Sequence, residues 1–329
     1  MANFTEGSDF NRFKGGPKGS SPSKKGDLGS RRGSHKFVLI LVLFLHFPLY
    51  TFPGAYPWKS GKCPSPSTET VIGVWREYKV KKEDTLLDIA RRFNLGFNEL
   101  QLLYPEIDPW LPPEGMVLKI PTIWVLPEFE TEGIVINVPE FRLYLFLPKL
   151  GLVKTHPVGI GILENPTPLG LFKVREKKVD PIWYVPPSLR DQYKGIKYIP
   201  PGPDNPLGKY WIGLSLPSYG IHGTNNPWGV GRLVSRGCIR LYPEDIEALF
   251  PLVKIGMPVK LAYEVVKFGC KNGRIFMEVH PDIYGHINDL KEHALSLAQR
   301  KGLLEKISLP LLFKAIEERK GVPIDITKD

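Results

Sequence analysis

Two short segments carry residue types that can do nucleophilic chemistry. One is Ile221-His222-Gly223-Thr224. The other is Ser235-Arg236-Gly237-Cys238-Ile239-Arg240, whose Cys238 comes 16 residues after His222. A lone cysteine is more often a small buried hydrophobe than a nucleophile, so its neighbours must decide. Gly237 allows a tight turn that can aim the Cys238 thiol and the adjacent amides at a cleft. Arg236 and Arg240 raise the local positive potential, which favours thiolate. His222 is a base whose ordinary pKa suits proton transfer near neutrality, and Gly223 beside it permits close approach. A cysteine and a histidine distant in sequence but joined by the fold are the usual arrangement for acyl transfer. The N–H groups of Gly237 and Cys238 are the natural oxyanion donors, because they sit at the nucleophile on a turn.

Something must bring residues 222 and 238 together. From Gly133 the hydrophobic pattern has period two. Ile134–Val138 and Arg142–Phe146 flank Pro139-Glu140-Phe141 as a hairpin would, and Pro157–Ile162 and Leu171–Val174 read as further strands. Pro and Gly interrupt any long helix, so a mainly β domain is expected over 132–266. Beyond it, Asn288 to Gly302 and Leu309 to Lys320 have helical periodicity, which predicts a short helical extension over 280–329. That extension either packs on the domain before it or forms a partner-binding hairpin.

Upstream, residues 77–122 read as a small βααβ unit. Glu77–Val80 alternates like a strand, and Asp84 and Thr85 supply helix-capping chemistry. Leu86, Ile89, Ala90 and Phe93 share one helical face. Phe97–Tyr104 predicts a second short helix, and Val117–Ile120 before Pro121 a closing strand.

Tyr78, Val80, Asp84-Thr85-Leu86, Ile89-Ala90, Phe93, Leu100, Pro105 and Gly115-x-x-Leu118-x-Ile120-Pro121 resemble the LysM domain. That resemblance implies binding of N-acetylglucosamine-containing glycan strands, chiefly peptidoglycan. Tyr104 stands where the family usually has Asn. The His-Gly and Ser-x-Gly-Cys segments, with Pro166-Thr167-Pro168-x-Gly170 and Ile199–Gly208, resemble the L,D-transpeptidase (YkuD) family over about 132–263. Arg236 departs from it, standing where the family most often has His; arginine keeps the charge but does not shuttle protons at neutral pH.

The resemblance implies a multidomain chain: a LysM module, then a mainly β catalytic domain, then the helical segment. It implies cysteine acyl transfer on peptidoglycan stem peptides, with release of D-alanine and formation of 3→3 cross-links or attachment of a protein. Cys238 and His222 are the expected catalytic pair, with the Gly223 carbonyl orienting the His222 ring. Arg240, Arg236 and Ser235 are expected to bind substrate. For Arg240 the structural alternative is a salt bridge to Glu244 or Asp245. Trp183, Tyr184, Trp211 and Trp228 line the cleft or fill the core. Two other functions stay open, hydrolysis of the same acyl-enzyme (an L,D-carboxypeptidase or amidase) and a non-catalytic wall-binding anchor.

Residues 1–36 carry 8 Lys/Arg against 3 Asp/Glu, half of the net charge of +10, so the basicity is largely a tail property and no nucleic-acid partner is expected. This tail is expected to be disordered and cytoplasmic. No charge falls in 37–58, which reads as a signal peptide or an inner-membrane anchor, with cleavage near Ala55 in the first case. A linker is expected over 59–76. The catalytic unit is therefore expected in the cell envelope, on the periplasmic side. Three cysteines exclude a dense disulfide scaffold; a Cys63–Cys270 bridge is open to an oxidising compartment. His156, His280, His286 and His293 lack metal-ligand spacing. No metal and no cofactor are expected.

Overall fold

The computed structural model describes residues 54–58, 63, 69–129 and 131–328. The expected tail and most of the expected export segment lie outside them. Among the described residues no helix is long and apolar enough to cross a membrane.

A nine-stranded sheet organises the molecule. Across it the order is Ala55–Pro57, Leu152–Pro157, Arg142–Leu147, Gly133–Asn137, Pro258–Ala262, Gly170–Val179, Tyr210–Leu214, Gly220–His222 and Ile239–Arg240. Two neighbours run parallel: Pro258–Ala262 with Gly133–Asn137, and Gly220–His222 with Ile239–Arg240. The other pairings are antiparallel.

Period two explains both cores. Ile134, Ile136, Leu143 and Leu145 point to one face, where Ile246 and Leu249 of the helix Pro243–Leu249 cover them. Val135, Tyr144 and Phe146 point to the other face. A second layer is needed there, because strands buried on both sides leave no solvated face. The βααβ module supplies it. Its strands Arg76–Lys79 and Val117–Ile120 pair antiparallel around the helices Leu86–Arg92 and Phe97–Leu103. Thr85 caps the first helix in a capping box with Asp88. Leu86, Ile89, Leu100, Leu118 and Trp124 are buried and join Tyr144 and Phe146 in one core. The Trp124 indole N–H donates to Glu99 Oε1 at 2.9 Å, and Arg91 grips Glu244 with two bonds of 2.7 and 2.8 Å. The module is thus a layer of the fold, not a bead on a tether.

Three expectations of organisation are corrected. Residues 54–58, assigned to the end of the export segment, belong to the folded body: Ala55–Pro57 pairs with Leu152–Lys154 and Trp58 is buried against Phe146. Within the expected linker, Val71–Gly73 pairs with Ile123–Val125. Past residue 265 the chain forms more than helices. A hairpin, Val266–Lys271 with Arg274–Val279, and a last strand, Ile324–Asp325, make a three-stranded sheet. The helices Leu290–Arg300 and Leu309–Glu318 pack on it around a third core. The last strand, of two residues, is too short to leave a periodic signal in sequence.

Cys63 and Cys270 form a disulfide, with Cα atoms 5.6 Å apart, joining the N-terminal approach to this C-terminal sheet. Cys238 is the one free cysteine among the described residues.

Candidate active site

The parallel pair at the sheet edge places the two chemistry-bearing segments side by side. In its register Ile221 lies opposite Ile239 and His222 opposite Arg240, which puts Gly220 beside Cys238. Residues two apart share a face of a strand. Cys238, His222 and Arg240 therefore project from one face. Ile221 and Ile239, on the other face, are buried in the core beneath.

His222 is buried at 3% exposure, and its Nδ1 lies 2.6 Å from the Gly223 carbonyl. A carbonyl only accepts, so Nδ1 carries the proton and Nε2 of the neutral ring presents a lone pair. Burial, and then the Arg240 charge, push the His222 pKa down from 6.5 to about 3, against the lifting effect of the Gly223 and Leu207 backbone. The partly exposed Cys238 thiol is pushed up by burial, which outweighs the Gly220 N–H and the Arg240 charge. The pair therefore rests as neutral thiol and neutral imidazole. The expectation that Arg236 and Arg240 favour thiolate is corrected: Arg240 pulls that way but desolvation is larger, and Arg236 points elsewhere. At rest the thiol donates to the Ser218 carbonyl at 3.5 Å. Ser218 holds a φ of +69°, in the left-handed region.

The turn before Cys238 is held from several sides. Gly237 has a φ of +99°, and a Cβ there would lie 2.5 Å from the Tyr219 ring. Buried Ser235 donates its hydroxyl to the Cys238 carbonyl at 2.5 Å and accepts from the Gly237 N–H at 3.1 Å. Two expectations change with that. Ser235, expected to bind substrate, uses its hydroxyl inside the turn. The Gly237 N–H, expected as an oxyanion donor, is already bonded, whereas the Cys238 N–H has no partner among the described residues. Thr167 Oγ1 donates to the Gly237 carbonyl at 3.1 Å and accepts from the Gly161 N–H at 2.9 Å. From beyond the catalytic sheet, Tyr284 donates to the Gly161 carbonyl at 2.7 Å and accepts from the Thr167 N–H at 3.1 Å. The Pro-Thr-Pro run marked Thr167 in sequence; nothing marked Tyr284.

Arg240 has no acidic partner among the described residues. Glu244 is taken by Arg91, and Asp245 Oδ1 lies 2.9 Å from His156 Nδ1. The Arg240 Nε is buried without a hydrogen bond. An unpaired guanidinium beside a thiol and a neutral imidazole can receive a carboxylate. Arg236 is exposed and donates from Nη1 to Ser188 Oγ at 3.1 Å, tying the Cys238 turn to the segment that carries the small Trp183–Tyr184/Tyr198–Ile199 hairpin. Of the aromatic candidates, Trp211 stacks on His222, Trp183 meets Tyr193 edge to face, and Tyr184 and Trp228 are exposed. Among the histidines without ligand spacing, His280 does meet Glu140 and Glu278. The Lys267 ammonium bonds both carboxylates there, at 2.7 and 2.9 Å, and supplies the positive charge.

Family models match two domains, in chain order. Residues 78–121 match the LysM domain and residues 131–261 the L,D-transpeptidase catalytic domain. The chain is 34% identical to the probable L,D-transpeptidase YcfS of Escherichia coli strain K12, over 83% of this chain and 91% of that one. It is 38% identical to the probable L,D-transpeptidase YbiS of the same strain, over 71% and 81%. Among solved structures, the catalytic domain from E. faecium L,D-transpeptidase aligns with a TM-score of 0.33 at 25% identity, over 41% of this chain and 99% of that one. With a catalytic domain and a LysM domain matched in order and relatives of this identity matched along most of their length, the chain belongs to the L,D-transpeptidase family.

Proposed function

We propose that the protein is a peptidoglycan L,D-transpeptidase of the cell envelope, with Cys238 as nucleophile and His222 as base. The observation that carries the assignment is the shared face of Cys238, His222 and an unpaired Arg240 on two parallel strands.

Arg240 receives a carboxylate of the stem peptide, which sets the carbonyl of its third residue against Sγ. Because the pair is neutral at rest, the proton moves as the bond forms. The thiol leaves the Ser218 carbonyl and gives its proton to His222 Nε2 while sulfur attacks. The tetrahedral oxyanion takes the free Cys238 N–H. Nδ1–H stays on the Gly223 carbonyl and keeps the ring oriented, the part a carboxylate plays in other triads. Collapse breaks the amide bond; the leaving D-alanine nitrogen takes the proton from Nε2, and a thioester remains. An amine from a neighbouring stem then attacks the thioester and loses its proton to His222. The new amide forms and the thiol returns. The LysM module holds glycan strands, and its fusion to the sheet keeps them in one relation to Cys238.

The test incubates the full chain, beside Cys238→Ala, with disaccharide-tetrapeptide and resolves products by mass spectrometry. A Cys238-dependent dimer lacking one D-alanine is expected. A Cys238-dependent tripeptide monomer without dimer replaces the acceptor amine with water and makes the protein a hydrolase. No Cys238-dependent product leaves a non-catalytic wall binder.

A further inference from the structure

Among the described residues, no carboxylate pairs with His222 to steady the charge it gains. Its Nδ1 meets a carbonyl, and the formal charge that acts on it is the repelling Arg240. What covers the ring is an indole. Trp211 is the ladder partner of His222 on the antiparallel neighbouring strand, and the two rings stack with centroids 5.7 Å apart and planes at 25°.

The surroundings of Trp211 hold it there. Its N–H donates to Glu176 Oε1 at 2.9 Å, and Glu176 is itself paired with Lys178. Two glycines clear the space. A Cβ on Gly220 would lie 2.6 Å from two carbons of the indole, and one on Gly213 would lie 2.8 Å from its nitrogen. Neither glycine has a φ in the left-handed region, so backbone conformation does not call for them; room for the ring does. Gly220 also lies opposite Cys238, so the same glycine gives its N–H to the thiol side of the site.

We propose that Trp211 is a positioning residue that stabilises the His222 imidazolium formed when Cys238 gives up its proton, a reading that rests on His222 being the base. The negative face of an indole attracts a cation within about 6 Å of its centroid, and more strongly when the pair is desolvated. The neutral imidazole gains little from the same face. The interaction is thus larger in the transition state than in the ground state, and it raises kcat without tightening substrate binding. Glu176, by accepting from the indole N–H, fixes the ring and feeds electron density into it.

The experiment replaces Trp211 in the full chain by mono-, di- and trifluorotryptophan through site-specific incorporation, which drains the π face and leaves the shape. D-alanine release from the tetrapeptide is followed at saturation. The expected result is a stepwise fall in kcat, reaching about tenfold for the trifluoro form, with KM within twofold throughout. Trp211→Leu falls at least as far, and Trp211→Phe recovers most of the loss. A kcat that stays flat across the fluorinated series overturns the proposal, as does a fall shared equally by KM. His222→Gln separates the two readings. If it is inactive while the fluorinated series is flat, only the role of Trp211 fails. Wild-type kcat in His222→Gln would remove the base and the proposal together.

Discussion

Arg142, at the start of the third strand of the catalytic sheet, and Glu99, on the second LysM helix, meet at 2.5 Å with both side chains buried. Arg142 also lies over the Trp124 ring and donates to the Asn94 carbonyl at 3.0 Å, at the end of the first LysM helix. A charge pair across two modules commits each to the other. Removing one member of a buried pair leaves an uncompensated charge, at a cost of about 3–5 kcal/mol. Glu99→Ala is therefore expected to lower the stability of the whole body by that amount and to keep one urea transition for both modules. Two separated transitions would show that the LysM layer folds independently.

Acid should weaken the fold through His222. Its folded pKa of about 3 lies below its unfolded 6.5, so the unfolded chain binds the proton that the folded one refuses. Its contribution is complete above pH 6.5 and is lost as pH falls toward 3, with a slope of at most about 1.4 kcal/mol per pH unit. His222→Gln removes that slope. The stability difference between pH 7 and pH 4 should shrink on the order of 3 kcal/mol relative to wild type. Parallel acid curves for the two proteins would refute the depressed histidine.

Arg240 acts on both reacting groups in one direction. Its charge holds the Cys238 thiol below where burial alone would put it, and it repels the proton on His222. Arg240→Gln should move both pKa values up. Iodoacetamide labelling of Cys238, followed by mass spectrometry across pH, should show its midpoint displaced to higher pH and a slower rate at pH 7. A wild-type midpoint below that of ordinary thiols would contradict the neutral resting pair.

Gly237 sets the turn before Cys238. A Cβ at its φ of +99° is strained by about 1–3 kcal/mol and also meets Tyr219 at 2.5 Å. Gly237→Ala is expected to lower kcat about a hundredfold or more. Trimming Tyr219 in the same chain relieves the contact but not the backbone, so activity should recover only in part. Full recovery would assign the effect to the tyrosine alone.

More remote support should be felt through Tyr284. Its hydroxyl makes two bonds to the Gly161–Thr167 segment that holds the Gly237 carbonyl. Tyr284→Phe should cost about 1–3 kcal/mol and lower kcat with KM little changed. An unchanged kcat would limit Tyr284 to the packing of the C-terminal layer.

Much of the site could be read from the chain because its key orienting bond is local: His222 binds the carbonyl of the very next residue. Trp211 could not be read that way, since only the ladder register puts it over His222. Thr167 and Tyr284 act across 70 and 117 residues of chain. The electrostatic sign was also hidden. Nearby arginines are visible as letters, but the burial that outweighs them is a property of the fold. The LysM helices were legible from their periodicity. Their fusion to the sheet was not, because Glu99 reads as an ordinary polar position until Arg142 is placed against it.

The Cys63–Cys270 bridge spans 207 residues, and Cys238, the proposed nucleophile, lies between its ends. The native partner of the first cysteine is thus the third, not the second. A chain oxidised from its N-terminus onward meets the wrong partner first. Loop entropy scarcely opposes the error, because it changes slowly with loop length and the two loops differ little. Only the folded sheet, by placing residue 270 and not 238 beside residue 63, selects the correct bond. A mispaired chain has its reactive sulfur locked away. Active yield after oxidation therefore becomes a matter of thiol exchange, and it counts the chains that chose the third cysteine over the second.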